Sequence, residues 1–127
     1  NPVLGHITTF GGHPVCCAAG LAALEFILSE GLMEQADAKG AQYERRLVGH
    51  PAVREIRRTG LLMGVEFGDP ALTQRIVLRA VERGLMTEWF LFRDTAMRIA
   101  PPLTITPAEI DESCDILLDV LREVTGS

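Results

Sequence analysis

Residues 8–24 read TTFGGHPVCCAAGLAAL, a hydroxyl-bearing, glycine-containing loop that opens directly into an apolar helix. Pro14 stands at the first helical position, where its missing N–H costs nothing because that group has no intrahelical partner. The free N–H groups and positive dipole end of the helix then lie beside Thr8 and Thr9, an arrangement suited to a phosphate. Gly11 and Gly12 let the backbone approach a ligand closely. The same residues also suit an ordinary Gly-Gly turn with local capping, with His13 as a cap of the helix.

The helix itself carries the second clue. From Val15 to Leu28 only Gly20 and Glu25 are not apolar. A helix that is apolar all round is buried all round. It is shorter than the roughly 20 residues that cross a bilayer, and a chain of 127 residues has room for few fully interior helices. The expectation is a helix that packs against something outside the chain, either a second copy or a further part of a parent protein.

Downstream, Gly31 breaks the chain before a second helix, roughly Leu32 to Val48, with Leu32, Ala36, Tyr43 and Leu47 as its buried stripe. Val53 to Arg58 and Leu61 to Phe67 read as strands joined near Thr59-Gly60. Asp69 and Pro70 open a helix that runs to Arg83 and closes at Gly84. Leu85 to Phe92 is mostly apolar and extended, and Met97 to Ala100 is a short strand stopped by Pro101-Pro102. Thr106, Pro107 and Glu109 form a capping box before a last helix whose core face is Ile110, Cys114, Leu117 and Leu121. The order predicts an α+β fold: a small, antiparallel-rich sheet with helices packed on one face.

Composition narrows the partners. A net charge of −5 and a pI near 5.1 give no electrostatic case for nucleic acid or a membrane surface. Three cysteines, two of them adjacent, make no disulfide framework. Cys16, Cys17 and Cys114 read as small buried hydrophobes, which fits a reducing, cytoplasmic setting. His6, His13 and His50 are too scattered for a metal set. Trp89-Phe90-Leu91-Phe92 reads as core or interface. Arg98, between Met97 and Ile99, is either a solvent-facing arginine on an edge strand or a planar two-pronged clamp for a carboxylate.

Three blocks in order cover nearly the whole chain. The Thr8–Leu24 stretch resembles the segment that follows the cofactor lysine in class III (ornithine/acetylornithine-type) pyridoxal-phosphate-dependent aminotransferases. Met97-Arg98-Ile99-Ala100-Pro101-Pro102-Leu103-Thr104-Ile105-Thr106 resembles that family's Arg-aliphatic-x-Pro-Pro-Leu segment. Val53 to Glu66 is a weaker third match. The resemblance implies the C-terminal small domain of a fold-type I enzyme. Residues 1–13 would then be a cofactor-phosphate loop and residues 14–127 the small domain. Residues 14–29 within it would bridge to a large cofactor-binding domain that this chain lacks.

The resemblance also assigns roles. Thr9, with Thr8 assisting, would contact the phosphate of pyridoxal 5'-phosphate bound to the neighbouring subunit of a homodimer. Arg98 would hold the carboxylate of an amino acid or 2-oxo acid substrate. The region of Trp89 to Phe92 would lie near the substrate entrance. The family's Schiff-base lysine precedes the threonine block, whereas the only lysine here is Lys39, on a polar helix. The chain is therefore expected to be a fragment, inactive by itself, with no catalytic residue and no metal site of its own. A related decarboxylase or aminomutase remains open, as does a non-enzymatic ligand-binding or dimerisation module.

Overall fold

The computed structural model describes residues 8–126, so residues 1–7 of the expected phosphate loop lie outside the described residues. The chain divides into two compact units, Asn1–Met33 and Glu34–Ser127.

In the first unit, α1 runs over Pro14–Ser29 with proline in its first turn. His13 occupies the N-cap position but makes no side-chain capping bond. His13 thus caps the helix as expected, but through its backbone carbonyl, which accepts from Cys17 N at 2.9 Å, and not through its side chain. Gly31, at φ +57°, separates this helix from the next in a conformation that favours glycine. No residue of α1 is buried. Cys16 and Cys17 are consequently exposed rather than buried, because the other described residues of this unit are too few to cover an apolar helix.

In the second unit, helix α2 (Leu32–Leu47) precedes a hairpin of β1 (Glu55–Thr59) and β2 (Leu62–Glu66), then α3 (Pro70–Glu82), β3 (Glu88–Phe90), β4 (Arg93–Ile99) and α4 (Pro107–Thr125). The sheet order is β1-β2-β4-β3, and each neighbouring pair is antiparallel. The expected α+β layout is present. The two hairpin strands shift by one or two residues at their ends, and the other two strands change more. The extended stretch from Leu85 shrinks to the three residues of β3, and the strand at Met97 begins earlier, at Arg93. Leu91 and Phe92 form the turn between them instead.

Local chemistry explains the boundaries. Thr59 pairs with Leu62, leaving Gly60-Leu61 as a two-residue link, and Gly60 takes the positive φ of +57° that such a tight hairpin demands. Asp69 accepts from Leu72 N at 2.6 Å to cap α3. Thr106 and Glu109 exchange the two hydrogen bonds of a capping box at the start of α4.

The core lies on one face of the sheet. Met63, Val65 and Met97 point into it, against Ile76 and Val77 of α3. Ile110, Cys114, Leu117, Val120 and Leu121 of α4 complete it, with Tyr43 and Leu47 of α2. Burial pushes the Cys114 thiol up to about 12, which keeps it inert. Arg58 ties the hairpin to α2 through Glu44 at 2.7 Å and Asp37 at 2.5 Å.

Gly40 is the contact that α2 cannot do without. It is buried, and a Cβ there would overlap the carbonyl oxygen of Gly60 in the β1–β2 turn. Gly40→Ala would gain up to about 1 kcal/mol of helix propensity, but forcing backbone apart in a packed interior costs about 1–3 kcal/mol. The variant should therefore unfold at lower urea concentration than the parent. A stabilised Gly40→Ala would show that α2 does not touch the hairpin as described.

Candidate functional site

Strand alternation puts a second set of residues on the face away from the core. In β2 these are Gly64 and Glu66, between the core residues Met63, Val65 and Phe67. Register carries the pattern across: Arg57 and Arg98 flank Gly64, while Glu55 and Ala96 flank Glu66. Glu88 of β3 stands directly opposite Arg98. Arginines and carboxylates thus collect on one open face.

Glu66 is the centre of this face. It is 5% exposed, and a buried charge of this kind must be paired. Oε2 accepts from Arg93 Nε at 2.8 Å and from Arg57 Nη2 at 3.1 Å, while Oε1 accepts from Gly68 N at 3.0 Å. Burial alone would raise its pKa, but the hydrogen bonds from Thr95, Arg93, Arg57 and the Gly68 N–H outweigh it and hold the carboxyl at about 2. Arg57 is shared with Glu55 at 2.6 Å.

Arg98 sits on β4, an inner strand between β2 and β3, so it is not an edge-strand residue. Its side chain is 44% exposed and pairs with Glu88. Its backbone is held from two directions: the Thr87 hydroxyl donates to the Arg98 carbonyl at 2.6 Å, and Pro101-Pro102 stiffen the chain that follows. The Lys39 ammonium donates to the Leu103 carbonyl at 2.7 Å, so the sole lysine serves to fix this loop. Beside Arg98, the Phe90 ring covers Gly64, where a Cβ would come within 3.1 Å of it.

Two of the grooves on this face share Phe90. One, of about 490 Å³, is lined by Arg57, Thr59, Leu62, Gly64, Phe90 and Arg93 among others. The other, of about 340 Å³, runs past Glu88, Trp89, Phe90, Phe92 and Arg98. The four-residue apolar run thus divides. Phe90 packs on the sheet, while Leu91 and Phe92 are exposed at the hairpin turn.

Thr8 and Thr9 lie in the first unit and are exposed. Gly11 N donates to Thr8 O at 3.5 Å and His13 N to Phe10 O at 3.0 Å, which closes a turn against the start of α1. Gly12 has φ +77°. A Cβ on Gly11 would overlap the Thr8 hydroxyl, so glycine is what lets that oxygen lie across the turn. With no side-chain cap on α1, hydroxyls and free N–H groups remain together at this helix end. That chemistry fits a phosphate.

The sequence reading named Arg98, Thr8 and Thr9 but passed over Glu66, Glu88 and Gly64. For Gly64 and Glu66 a signal existed: within the strand at Leu61–Phe67 they alternate with Met63, Val65 and Phe67. Glu88 carried none, since its proximity to Arg98 comes from the pairing of β3. Among the described residues no three His, Cys, Asp or Glu side chains form a group that could hold a metal, and no single helix is long and apolar enough to cross a membrane.

Comparison with known proteins follows the same lines. A family model described as aminotransferase class-III matches residues 1–121. The acetylornithine aminotransferase of Caldanaerobacter subterraneus subsp. tengcongensis is 41% identical over 123 residues, which is 94% of this chain and 30% of that protein. The ornithine aminotransferase 2 of Staphylococcus aureus is 37% identical, over 94% of this chain and 28% of its own length. The solved ornithine aminotransferase of Toxoplasma gondii, described with PLP in partial occupancy at its active site, superposes with a TM-score of 0.78 at 33% identity, covering 95% of this chain and 30% of that one. The chain therefore spans less than a third of the length of these relatives.

The Glu66 network makes a testable contribution to stability. Its folded value lies below the usual 4.5, so it stabilises the fold above that pH and ceases to do so as pH falls from about 4.5 toward 2. By linkage this is worth on the order of 3 kcal/mol at neutral pH. Glu66→Gln should lower stability by that order at pH 7 and show a flatter loss between pH 5 and 3, read from urea midpoints. Equal stability of the two proteins at pH 7 would mean the carboxylate is not held by the two arginines.

Proposed function

The chain belongs to the class-III aminotransferase family, and we propose that it is the small-domain portion of a pyridoxal-phosphate-dependent aminotransferase. The whole enzyme would move an amino group between an amino donor and a 2-oxo acid, as a homodimer in the cytoplasm. The observation that carries this reading is Arg98: an arginine fixed at its backbone, half-exposed on the open sheet face, at the family's motif position. A guanidinium offers the fork of donors that matches a carboxylate.

The division of labour follows from the chemistry of each part. When bound, pyridoxal phosphate supplies the electron sink for the transfer. Arg98 binds the substrate carboxylate and so orients the reacting carbon. Thr9 and Thr8 donate hydroxyl hydrogen bonds to the cofactor phosphate, assisted by the free N–H groups at the start of α1. The apolar surface of α1 supports a role in covering a large domain or a second subunit. Lys39 is engaged with Leu103, so we infer that this chain by itself does not carry out the transfer. The named relatives are acetylornithine and ornithine aminotransferases; for this protein the proposal is limited to amino acid and 2-oxo acid substrates.

Arg98→Lys in the full-length protein keeps the charge but loses the two-pronged geometry. Losing a charge-assisted hydrogen bond costs on the order of 1.5–3 kcal/mol, so kcat/KM for carboxylate substrates should fall roughly ten- to a hundredfold while cofactor retention is unchanged. Thr9→Ala should do the reverse, releasing cofactor more readily on dialysis, with a small kinetic loss once cofactor is saturating. Wild-type kinetics for Arg98→Lys with every carboxylate substrate would refute the assignment.

A further inference from the structure

We propose that Phe90 is a specificity-determining residue of the Arg98 site: its ring, seated on Gly64, closes the groove beside Arg98 and limits how long an aliphatic chain a bound carboxylate can carry along the sheet face. The inference rests on the assignment of Arg98 as the carboxylate anchor and adds to it a length limit, set by a residue with no assigned role.

Three observations carry it. Phe90 belongs to the edge strand β3, yet its ring reaches across β4 to Gly64 of β2. The pairing of β3 with β4 shifts register between Trp89 and Phe90, and an irregularity of this kind re-aims a side chain. Gly64 is in turn the direct cross-strand partner of Arg98, so the ring comes to rest beside the anchor. Finally, the ring is a wall of both neighbouring grooves: the one of about 340 Å³ that contains Arg98, and the one of about 490 Å³ that contains Thr59 and Leu62. It stands between them as a partition.

The chemistry on the two sides gives the partition its meaning. On the near side Arg98 stands among Trp89, Phe90 and Phe92, a charged anchor beside aromatic surface, which suits a carboxylate with an apolar chain. On the far side Arg57, Arg58 and Arg93 are all paired with carboxylates of the protein. What that groove offers a ligand is therefore Leu62, Thr59 and the bare backbone at Gly64. The ring cannot recede from an arriving chain, because it already lies on that backbone: a Cβ at Gly64 would come within 3.1 Å of it. Glycine has no side chain to take its place, so without the ring the two grooves run into one.

The test uses the full-length protein with its cofactor and straight-chain carboxylates from propionate to octanoate as unreactive competitive inhibitors. Each methylene that is buried tightens binding about fourfold. For the unaltered protein the inhibition constant should fall with chain length and then stop falling where the chain meets the ring. In Phe90→Ala the fall should continue to longer chains, so that octanoate binds roughly tenfold or more tightly than to the parent while propionate stays within about twofold. Phe90→Leu, which keeps apolar cover over Gly64, should lie between them, and thermal melting confirms that both variants are folded. A residue that merely supports the fold would move every chain length by the same factor. If Arg98→Lys weakens the whole series but the break is absent, or stays at the same length in both Phe90 variants, the length limit is wrong and Arg98 remains the anchor. If Arg98→Lys changes no inhibition constant, the carboxylate does not sit on Arg98, and both readings fall.

Discussion

The antiparallel pairing of β2 with β4, with Val65 opposite Met97 and Gly64 opposite Arg98, is the constraint on which the rest of the second unit depends. It assigns Val65 and Met97 to the core and Gly64 and Arg98 to the open face. Strand side chains alternate with a period of two, so a slip of one residue in β4 would drive Arg98 into the apolar core and expel Met97. Burying an unpaired guanidinium there would be prohibitive. The hydrophobic demand of α3 and α4 for Met63, Val65 and Met97 therefore also fixes where the charged residues stand. The charged face is a by-product of a register chosen by the core.

Once the register is set, the open face has its own logic. Gly64 leaves a depression that Phe90 fills from β3. Glu66 stays charged in a nearly closed environment because Arg57, Arg93 and the Gly68 N–H surround it. This network holds β1, β2 and β4 together on the face away from the core. Arg98 lies beside it but outside it. An arginine held by several carboxylates would be structural; one held by a single exposed carboxylate is available to a ligand.

Much of this was legible in the sequence because the signals were local. Asp69-Pro70 and Thr106-Pro107 with Glu109 mark helix starts by chemistry that acts over three residues. Gly31, Gly60 and Gly84 sit where the chain needs positive φ. The core faces of α2 and α4 follow from helical spacing, although Gly40 escaped the count because its role is to let Gly60 approach. Signals that depend on distant partners did not show. Leu85 to Phe92 looked like a long strand from its apolar content, but Leu91 and Phe92 make the turn that β3 and β4 require. The burial of Glu66 and the nearness of Glu88 to Arg98 exist only after three strands have paired. The apolar run from Val15 to Leu28 announced a helix in need of cover, and within its own unit no residue of that helix is buried.

The claim at the centre of this account is that Arg98 receives the substrate carboxylate. The most direct measurement is a crystal structure of the full-length protein, with its cofactor, soaked with an unreactive carboxylate such as propionate. The account predicts both carboxylate oxygens within hydrogen-bond distance of the Arg98 guanidinium. Propionate bound at another cation, with Arg98 still paired to Glu88, would contradict it.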